Sequence, residues 1–235
     1  MHLSPVYLAL FIGQSILSTY LPLTTSLIPV AVWLVLSSIS KARQPKGITT
    51  RADEVVPGRT TVQLPDRDGN LASEPADESV VVFQLGSQNN SGATGPNADV
   101  EKVAAAYARM LKDLDNRREE LGLLGYARYV GDKDNLTTFY FRDAQSIHKF
   151  ANEPMHREAW QMYDRGNMSH VGLFHETFVV QRKNWEALDL NCRPTMFGAT
   201  SVQTKEGWVS SLVSADGRGL KSYKDRLSMR KGVVS

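Results

Sequence analysis

Two of the five histidines lie where an imidazole could act on a buried substrate. His175 stands in the middle of an otherwise apolar segment over residues 170–181, and His156 begins a short stretch with helical spacing of large side chains. Histidine titrates near neutral pH, so its neutral ring can take a proton from a substrate. We predict that His175 and His156 are catalytic; a role as hydrogen-bonded structural histidines is the alternative.

The side chains that follow His156 suggest one wall of a pocket. His156, Trp160 and Tyr163 are spaced i, i+4, i+7 and therefore share one face of a helix. This spacing places an imidazole, an indole and a phenol together. We predict that Trp160 and Tyr163 bind substrate, and core packing is the alternative.

The alternation of side chains along a strand shows which candidate residues can share a face. Successive strand residues point to opposite faces, so Glu176 faces away from His175 and the two cannot form an acid–base pair. Tyr126 and Arg128 share a face of another strand, and that face could look into the pocket. An arginine there would bind a carboxylate or an enolate. We predict substrate-binding roles for Tyr126, Arg128 and Glu176.

Signatures of metal, nucleotide and nucleophile chemistry are missing from the sequence. No two histidines are spaced i, i+4 around a carboxylate, and there is no Gly-rich phosphate loop or Gly-x-Ser-x-Gly elbow. The single cysteine, Cys192, cannot form an intramolecular disulfide and has no context that would lower its thiol pKa. We therefore expect no metal and no organic cofactor, with molecular oxygen as co-substrate. Haem, with His156 or His175 as axial ligand, stays an open alternative.

The elements that would position these side chains follow a β-α-β-β-α-β order. Strand-like segments cover residues 80–85, 123–130, 136–142 and 170–181; helical spacing covers 99–121, 143–151 and 155–165. This order predicts a ferredoxin-like α+β fold with a four-stranded antiparallel sheet. Helices cover one face of such a sheet, and we expect a second subunit to cover the other. Two facing sheets would close a dimeric barrel around a pocket.

The two ends of the chain differ from this region in composition. Residues 3–40 contain no charged side chain and are about twice as long as one membrane crossing requires, so residues 1–40 are predicted to be a membrane anchor, either one span or a hairpin. Basic residues follow directly, which predicts a cytosolic domain on a membrane such as the endoplasmic reticulum. Residues 41–79 are predicted to be a polar linker, 80–200 the barrel domain and 201–235 a flexible basic tail. A net charge of +2 gives no support for nucleic-acid binding.

Several segments in this order resemble one protein family. They are VVFQLG at 81–86, LGLLG at 121–125, HREAW at 156–160, VGLFHETF at 171–178, WE at 185–186 and NCRPTMFGAT at 191–200. Together they resemble the monooxygenase-like dimeric α+β barrel proteins of bacteria and of fungal natural-product pathways. The resemblance covers about residues 80–200 and implies a homodimer. For fungal members it also implies oxidative tailoring of polyketide or terpenoid skeletons.

The residues and the resemblance together predict a membrane-anchored monooxygenase, independent of cofactors, that oxidises a hydrophobic secondary-metabolite intermediate. A base would deprotonate an electron-rich phenol or enol, and the resulting carbanion would reduce oxygen directly. Two alternatives stay open: a lyase or cyclase that uses the same histidine without oxygen, and a non-catalytic, membrane-tethered dimeric binding module.

Overall fold

The computed structural model describes residues 53–91, 98–131, 133–168 and 170–228. In chain order its first elements are β1 (Val56–Val62), β2 (Val80–Asn89), α1 (Ala98–Asn116), β3 (Leu123–Val130), β4 (Asp134–Phe141), α2 (Ala144–Ala151), α3 (Pro154–Arg165) and β5 (Val171–Val180). These are followed by β6 (Asp189–Cys192), a short 3-10 helix (Met196–Ala199), β7 (Ser201–Thr204), β8 (Gly207–Ser210), β9 (Leu212–Ser214) and α4 (Tyr223–Arg226).

A four-stranded antiparallel sheet in the order β3-β4-β2-β5 forms the centre of the domain. The strands β2 to β5 and the helices α1 to α3 follow the β-α-β-β-α-β path, so the predicted ferredoxin-like α+β fold is confirmed. The second helical connection is split as predicted. Asp143 caps α2 by accepting a 2.7 Å hydrogen bond from the backbone N–H of Ser146, and Pro154 starts α3, where its missing N–H costs nothing.

The three helices cover one face of this sheet, which we call the inner face. Its core joins Phe83 and Phe139 of the sheet to Met110 and Leu114 of α1 and Phe150 of α2. Phe139 and Leu114 are almost fully buried. The core therefore fixes the positions of α1 and α2 above the strands.

The opposite face, which we call the outer face, is half covered by the rest of the chain. Phe197 stacks on Tyr140 of β4 with ring centres 4.7 Å apart, and Trp185 packs edge-on against Phe197 at 4.9 Å. Val62 of β1 and Val80 of β2 are buried in the same cluster. The strand β1 forms a second sheet with its neighbours in the order β6-β1-β9.

The flanking segments correct two predictions. Residues 41–79 are not linker throughout, because β1 lies there and Val62 is fully buried. Residues 201–226 are not a flexible tail, because they form β7, β8, β9 and α4, and Arg226 is buried with its Nε donating to Glu186 at 2.6 Å. Local sequence missed these elements because β1 pairs with β9 across about 150 residues of chain.

The other half of the outer face is uncovered and aromatic. Phe174 is 41% exposed, Phe178 48% and Tyr129 50%. The Phe174 ring rests directly on the backbone of Gly86, where a Cβ would lie 2.0 Å from the ring. Only glycine leaves room for this contact, so Gly86 and Phe174 act as a pair.

The predicted membrane anchor, residues 1–40, lies outside the described residues. Within the described ranges, no helix combines the length and the apolar character that a membrane crossing requires.

Candidate active site

A cavity of about 580 Å³ lies between the inner face of the sheet and the three helices. The strands β2, β4 and β5 form its floor, and α1, α2 and α3 form its walls. Our prediction placed a pocket between the facing sheets of two subunits, whereas this cavity lies within a single chain, beneath its helices. The helices stand far enough from the strands to leave a space inside one chain, whereas the outer face is partly filled by Phe197 and Trp185.

His175 projects from β5 into this cavity, as the strand alternation indicated. It pairs with Leu85 in the register of β2 and β5, and its ring lies 5.8 Å from the ring of Phe83. No described side chain or backbone group forms a hydrogen bond with its ring. Both ring nitrogens of His175 therefore remain available to a bound molecule.

His156 enters the same cavity from α3, on the opposite wall. Its Nδ1 lies 3.0 Å from the carbonyl oxygen of Ala151, and its ring packs 5.1 Å from the ring of Phe150. A carbonyl oxygen can only accept, so Nδ1 carries the proton and Nε2 keeps its lone pair. The tautomer of the neutral ring is thereby fixed with a basic nitrogen free.

Burial lowers the pKa of His156 below its ordinary value of 6.5. The hydrogen bond to Ala151 acts in the opposite direction, and the proximity of His175 lowers the pKa further. His156 is therefore neutral at physiological pH. A neutral imidazole with a free lone pair beside apolar side chains has the properties of a general base.

Trp160 and Tyr163 line the cavity beside His156, as the helical spacing predicted. Their rings lie 6.2 Å apart, and Trp160 is 54% exposed. The hydroxyl of Tyr163 donates a 2.6 Å hydrogen bond to the carbonyl of Val171, which ties α3 to the start of β5. Tyr163 thus presents its ring rather than its hydroxyl to a ligand.

Arg128 also lines the cavity. So do Tyr107 and Thr137, which the sequence did not single out for function. The Arg128 guanidinium lies over the ring of Tyr107, 5.4 Å from its centre, and the Tyr107 hydroxyl is 2.6 Å from Oγ1 of Thr137. Burial raises the pKa of Tyr107, so the phenol stays protonated. The apolar stripe of α1 contained Tyr107, but the pattern by itself indicated only core packing.

Two of the predicted substrate-binding residues, Tyr126 and Glu176, do not line this cavity. The Tyr126 ring packs on Phe139 rather than lining the cavity, and its hydroxyl donates to Asp115 at 2.9 Å. Burial, as the larger cause, and the hydrogen bond to Asp115, as the second, raise the pKa of Tyr126 to about 12. Glu176 pairs with Gln84 and lies exposed on the outer face. Strand alternation, which brings His175 inward, places Glu176 outside.

The described part of the chain contains no group of three or more His, Cys, Asp or Glu side chains arranged to hold a metal ion. His170, which lies outside the cavity lining, pairs with Asp99 at 3.2 Å, and His148 lies beside Asn152 on α2. Of the described histidines, His156 and His175 are the two that line the cavity.

Fold and site together define a ferredoxin-like α+β domain with an apolar, histidine-lined cavity. The family described as Monooxygenase af470-like matches residues 80–197, and the chain belongs to this family. Monooxygenase af470 of Aspergillus fumigatus is 40% identical over 230 residues, which cover 91% of this chain and 82% of that protein. The chain is therefore a monooxygenase-like enzyme.

Solved structures share parts of the fold at low identity. Aldoxime dehydratase OxdRE in complex with butyraldoxime superimposes with a TM-score of 0.45 and 14% identity, over 64% of this chain and 41% of its own. SnoaB, a cofactor-independent oxygenase from Streptomyces nogalater, superimposes with a TM-score of 0.32 and 11% identity, over 45% of this chain and 95% of its own.

Proposed function

We propose that this protein is a membrane-anchored, cofactor-independent monooxygenase that oxidises a hydrophobic secondary-metabolite intermediate of the polyketide or terpenoid class. The observation that carries the proposal is the free Nε2 of a neutral His156 in an apolar cavity beside His175. Membership in the monooxygenase family supports the use of oxygen.

The first step is proton removal by His156. Nε2 takes a proton from an activated carbon or hydroxyl of the bound phenol or enol, and the substrate becomes a carbanion or enolate. His175 faces the same space from β5 and has no hydrogen bond to another described residue, so it donates a hydrogen bond to the developing oxyanion. Phe83 and Leu85 form an apolar floor beside this site.

The carbanion then transfers electrons to molecular oxygen, so the substrate itself is the reductant. Combination of the two gives a peroxide on the substrate carbon, and protonated His156 returns its proton to that peroxide. Loss of water from the hydroperoxide leaves a carbonyl, so that a methylene group and O2 become a carbonyl group and water. One oxygen atom enters the product and the other leaves as water.

The uncharged residues 3–40 support a membrane location for this chemistry. Such a location would keep the enzyme on the membrane in which a hydrophobic substrate dissolves. The basic residues after the apolar segment favour a cytosolic domain, as at the endoplasmic reticulum. We also propose a homodimer through the uncovered half of the outer face, because exposed Phe174, Phe178 and Tyr129 form an apolar patch typical of an interface.

Isotope labelling tests the proposed reaction. The full-length protein is incubated under ¹⁸O2 with the compound that accumulates when its gene is deleted, and the product is analysed by mass spectrometry. We expect one labelled atom in the product and labelled water in equal amount, without added nicotinamide, flavin or metal. A control with H2¹⁸O under unlabelled oxygen detects exchange of a carbonyl product with solvent.

Other outcomes distinguish the alternatives. A product formed equally well without oxygen would identify a lyase or cyclase that uses the same base. A Soret band in the purified protein, together with loss of activity when it is removed, would contradict cofactor independence. If the protein binds the accumulating compound but never converts it, the enzymatic proposal is wrong and a binding role remains.

A further inference from the structure

The described lining of the cavity contains basic side chains and no carboxylate. Arg128 of β3 and Lys133, just before β4, line it together with His156 and His175, and no aspartate or glutamate is among the described lining residues. Within the described ranges, Arg128 and Lys133 have no ion-pair partner. Two permanent cations without a lining carboxylate make a cavity that attracts anions.

Arg128 lies across the sheet from His175. Arg128 pairs with Thr137, Thr137 with Leu85 and Leu85 with His175, so one row across four strands joins Arg128 to His175. Three interstrand spacings make that row about 14 Å long. Arg128 and His175 thus lie on the two opposite edge strands of the sheet.

Lys133 lies beyond this row, further along the direction of β2. Its carbonyl accepts the backbone N–H of Asn89 at 2.8 Å, and Asn89 is four residues further along β2 than Leu85. Four residues of a strand span about 13 Å. The amide side chain of Asn135 lines the cavity between these levels and adds a neutral donor.

Arg128 is held in place before any ligand binds. Its guanidinium lies on the Tyr107 ring, and the Tyr107 hydroxyl is anchored on Thr137 at 2.6 Å. Asp115, a carboxylate nearby, accepts the hydroxyl of Tyr126 and is not part of the lining. The guanidinium edge is thus available for a carboxylate from the ligand.

The part of the cavity around the histidines is apolar. Phe83, Ile147, Phe150 and Met110 line it, and both imidazoles pack on phenyl rings. We infer that the cavity takes an amphipathic molecule whose apolar body lies against the histidines and whose carboxylate lies on the side of the β3–β4 hairpin, attracted by Arg128 and Lys133. This inference deepens the proposed function by naming the substrate class as hydrophobic carboxylates.

Calorimetric titration with dodecanoate and dodecanol tests the inference. The two probes share one apolar chain and differ in the head group. We expect the wild-type protein to bind dodecanoate more tightly than dodecanol. Arg128→Gln and Lys133→Gln should each weaken dodecanoate binding about two- to fivefold, as partly exposed charge pairs do, and the double variant about five- to twentyfold. Dodecanol binding should not change.

Lys112→Gln is the matched control, because Lys112 is exposed on α1 outside the cavity and its loss changes the net charge equally. Equal affinity of the wild type for both probes, or no binding of either, would overturn the inference, as would an equal loss in the control. The titration requires no oxygen. If the protein prefers the carboxylate but incorporates no ¹⁸O, the inference stands and the oxygenase proposal is wrong. If it incorporates ¹⁸O but does not prefer the carboxylate, the oxygenase proposal stands and the inference is wrong.

Discussion

The two faces of the central sheet are built from the same strands but differ in what covers them. Helices stand over the inner face and leave a cavity that contains His156 and His175. The outer face is covered in part by Phe197 and Trp185 of the same chain, whereas Phe174 and Phe178 on the edge strand β5 remain exposed. The inner face therefore has room for a ligand, whereas the outer face has packed cover and a free apolar patch.

This difference shows how one strand can serve two purposes. His175 and Glu176 are neighbours in β5, yet one lines the cavity and the other lies on the outer surface. Their roles follow from the alternation of strand side chains and not from their distance in sequence. Substitutions on the two faces should accordingly separate chemistry, stability and association.

The largest effect is expected at His156. His156→Ala removes the general base and should lower kcat/KM by about 100- to 10,000-fold, the usual range for such catalysis. Steady-state kinetics and the melting temperature should be measured together, so that lost activity is separated from lost fold. The matched control is His148→Ala on α2, because His148 lies outside the cavity lining. Retained activity in His156→Ala would assign the base to another group.

The covered part of the outer face should contribute most to the stability of the fold. Phe197→Ala removes a ring that stacks on Tyr140 and packs edge-on against Trp185, and it should lower the free energy of unfolding by about 3–5 kcal/mol. Denaturant titration measures this change. Leu188→Ala, at a site that is 45% exposed, should change it by less than about 0.5 kcal/mol. A loss below about 1 kcal/mol at Phe197 would mean that the segment after β5 is not part of the folded core.

The uncovered part of the outer face should determine self-association of the protein. Phe178→Glu places a charge in the proposed dimer interface and should weaken self-association by about 2 kcal/mol, close to thirtyfold in Kd. Sedimentation equilibrium of the wild type and the variant gives both constants. Leu190→Glu, on β6 and 60% exposed, is the control for an added charge elsewhere. A monomeric wild-type protein would contradict the proposed dimer.

The pH profile should report the state of His156. The general base must be neutral, and burial lowers its pKa below 6.5, so kcat/KM should be constant above that pKa and fall tenfold per pH unit below it. Protonation thus removes activity as the pH falls, with the midpoint of the acid limb below 6.5. A midpoint above this value would indicate a different base or a charged partner for His156.

The smallest effect is expected at Glu176. Glu176→Gln changes a side chain that is exposed on the outer face, and kcat/KM should stay within about twofold of the wild type. Its neighbour supplies the contrast, because His175→Ala should lower kcat/KM by at least about tenfold. A similar loss in both variants would show that the two faces are not functionally separate.

Much of the central fold followed from local patterns. The strand over 80–85, the cap at Asp143 and the break before Pro154 depend on residues close together in the chain, so they could be identified there. The shared face of His156, Trp160 and Tyr163 followed from helical spacing in the same way. Tyr126 could not be placed, since its position depends on Asp115 of another element.

Sequence by itself determined the β-α-β-β-α-β order, the placement of His175 and Glu176 on opposite faces of one strand, and the family, because spacing and alternation act over a few residues. The tertiary structure alone decided that the cavity lies under the helices and that β1, β9 and Phe197 close half of the outer face. Those features arise from contacts between segments far apart in the chain, and the free energy of such contacts depends on shapes that no short window of residues contains.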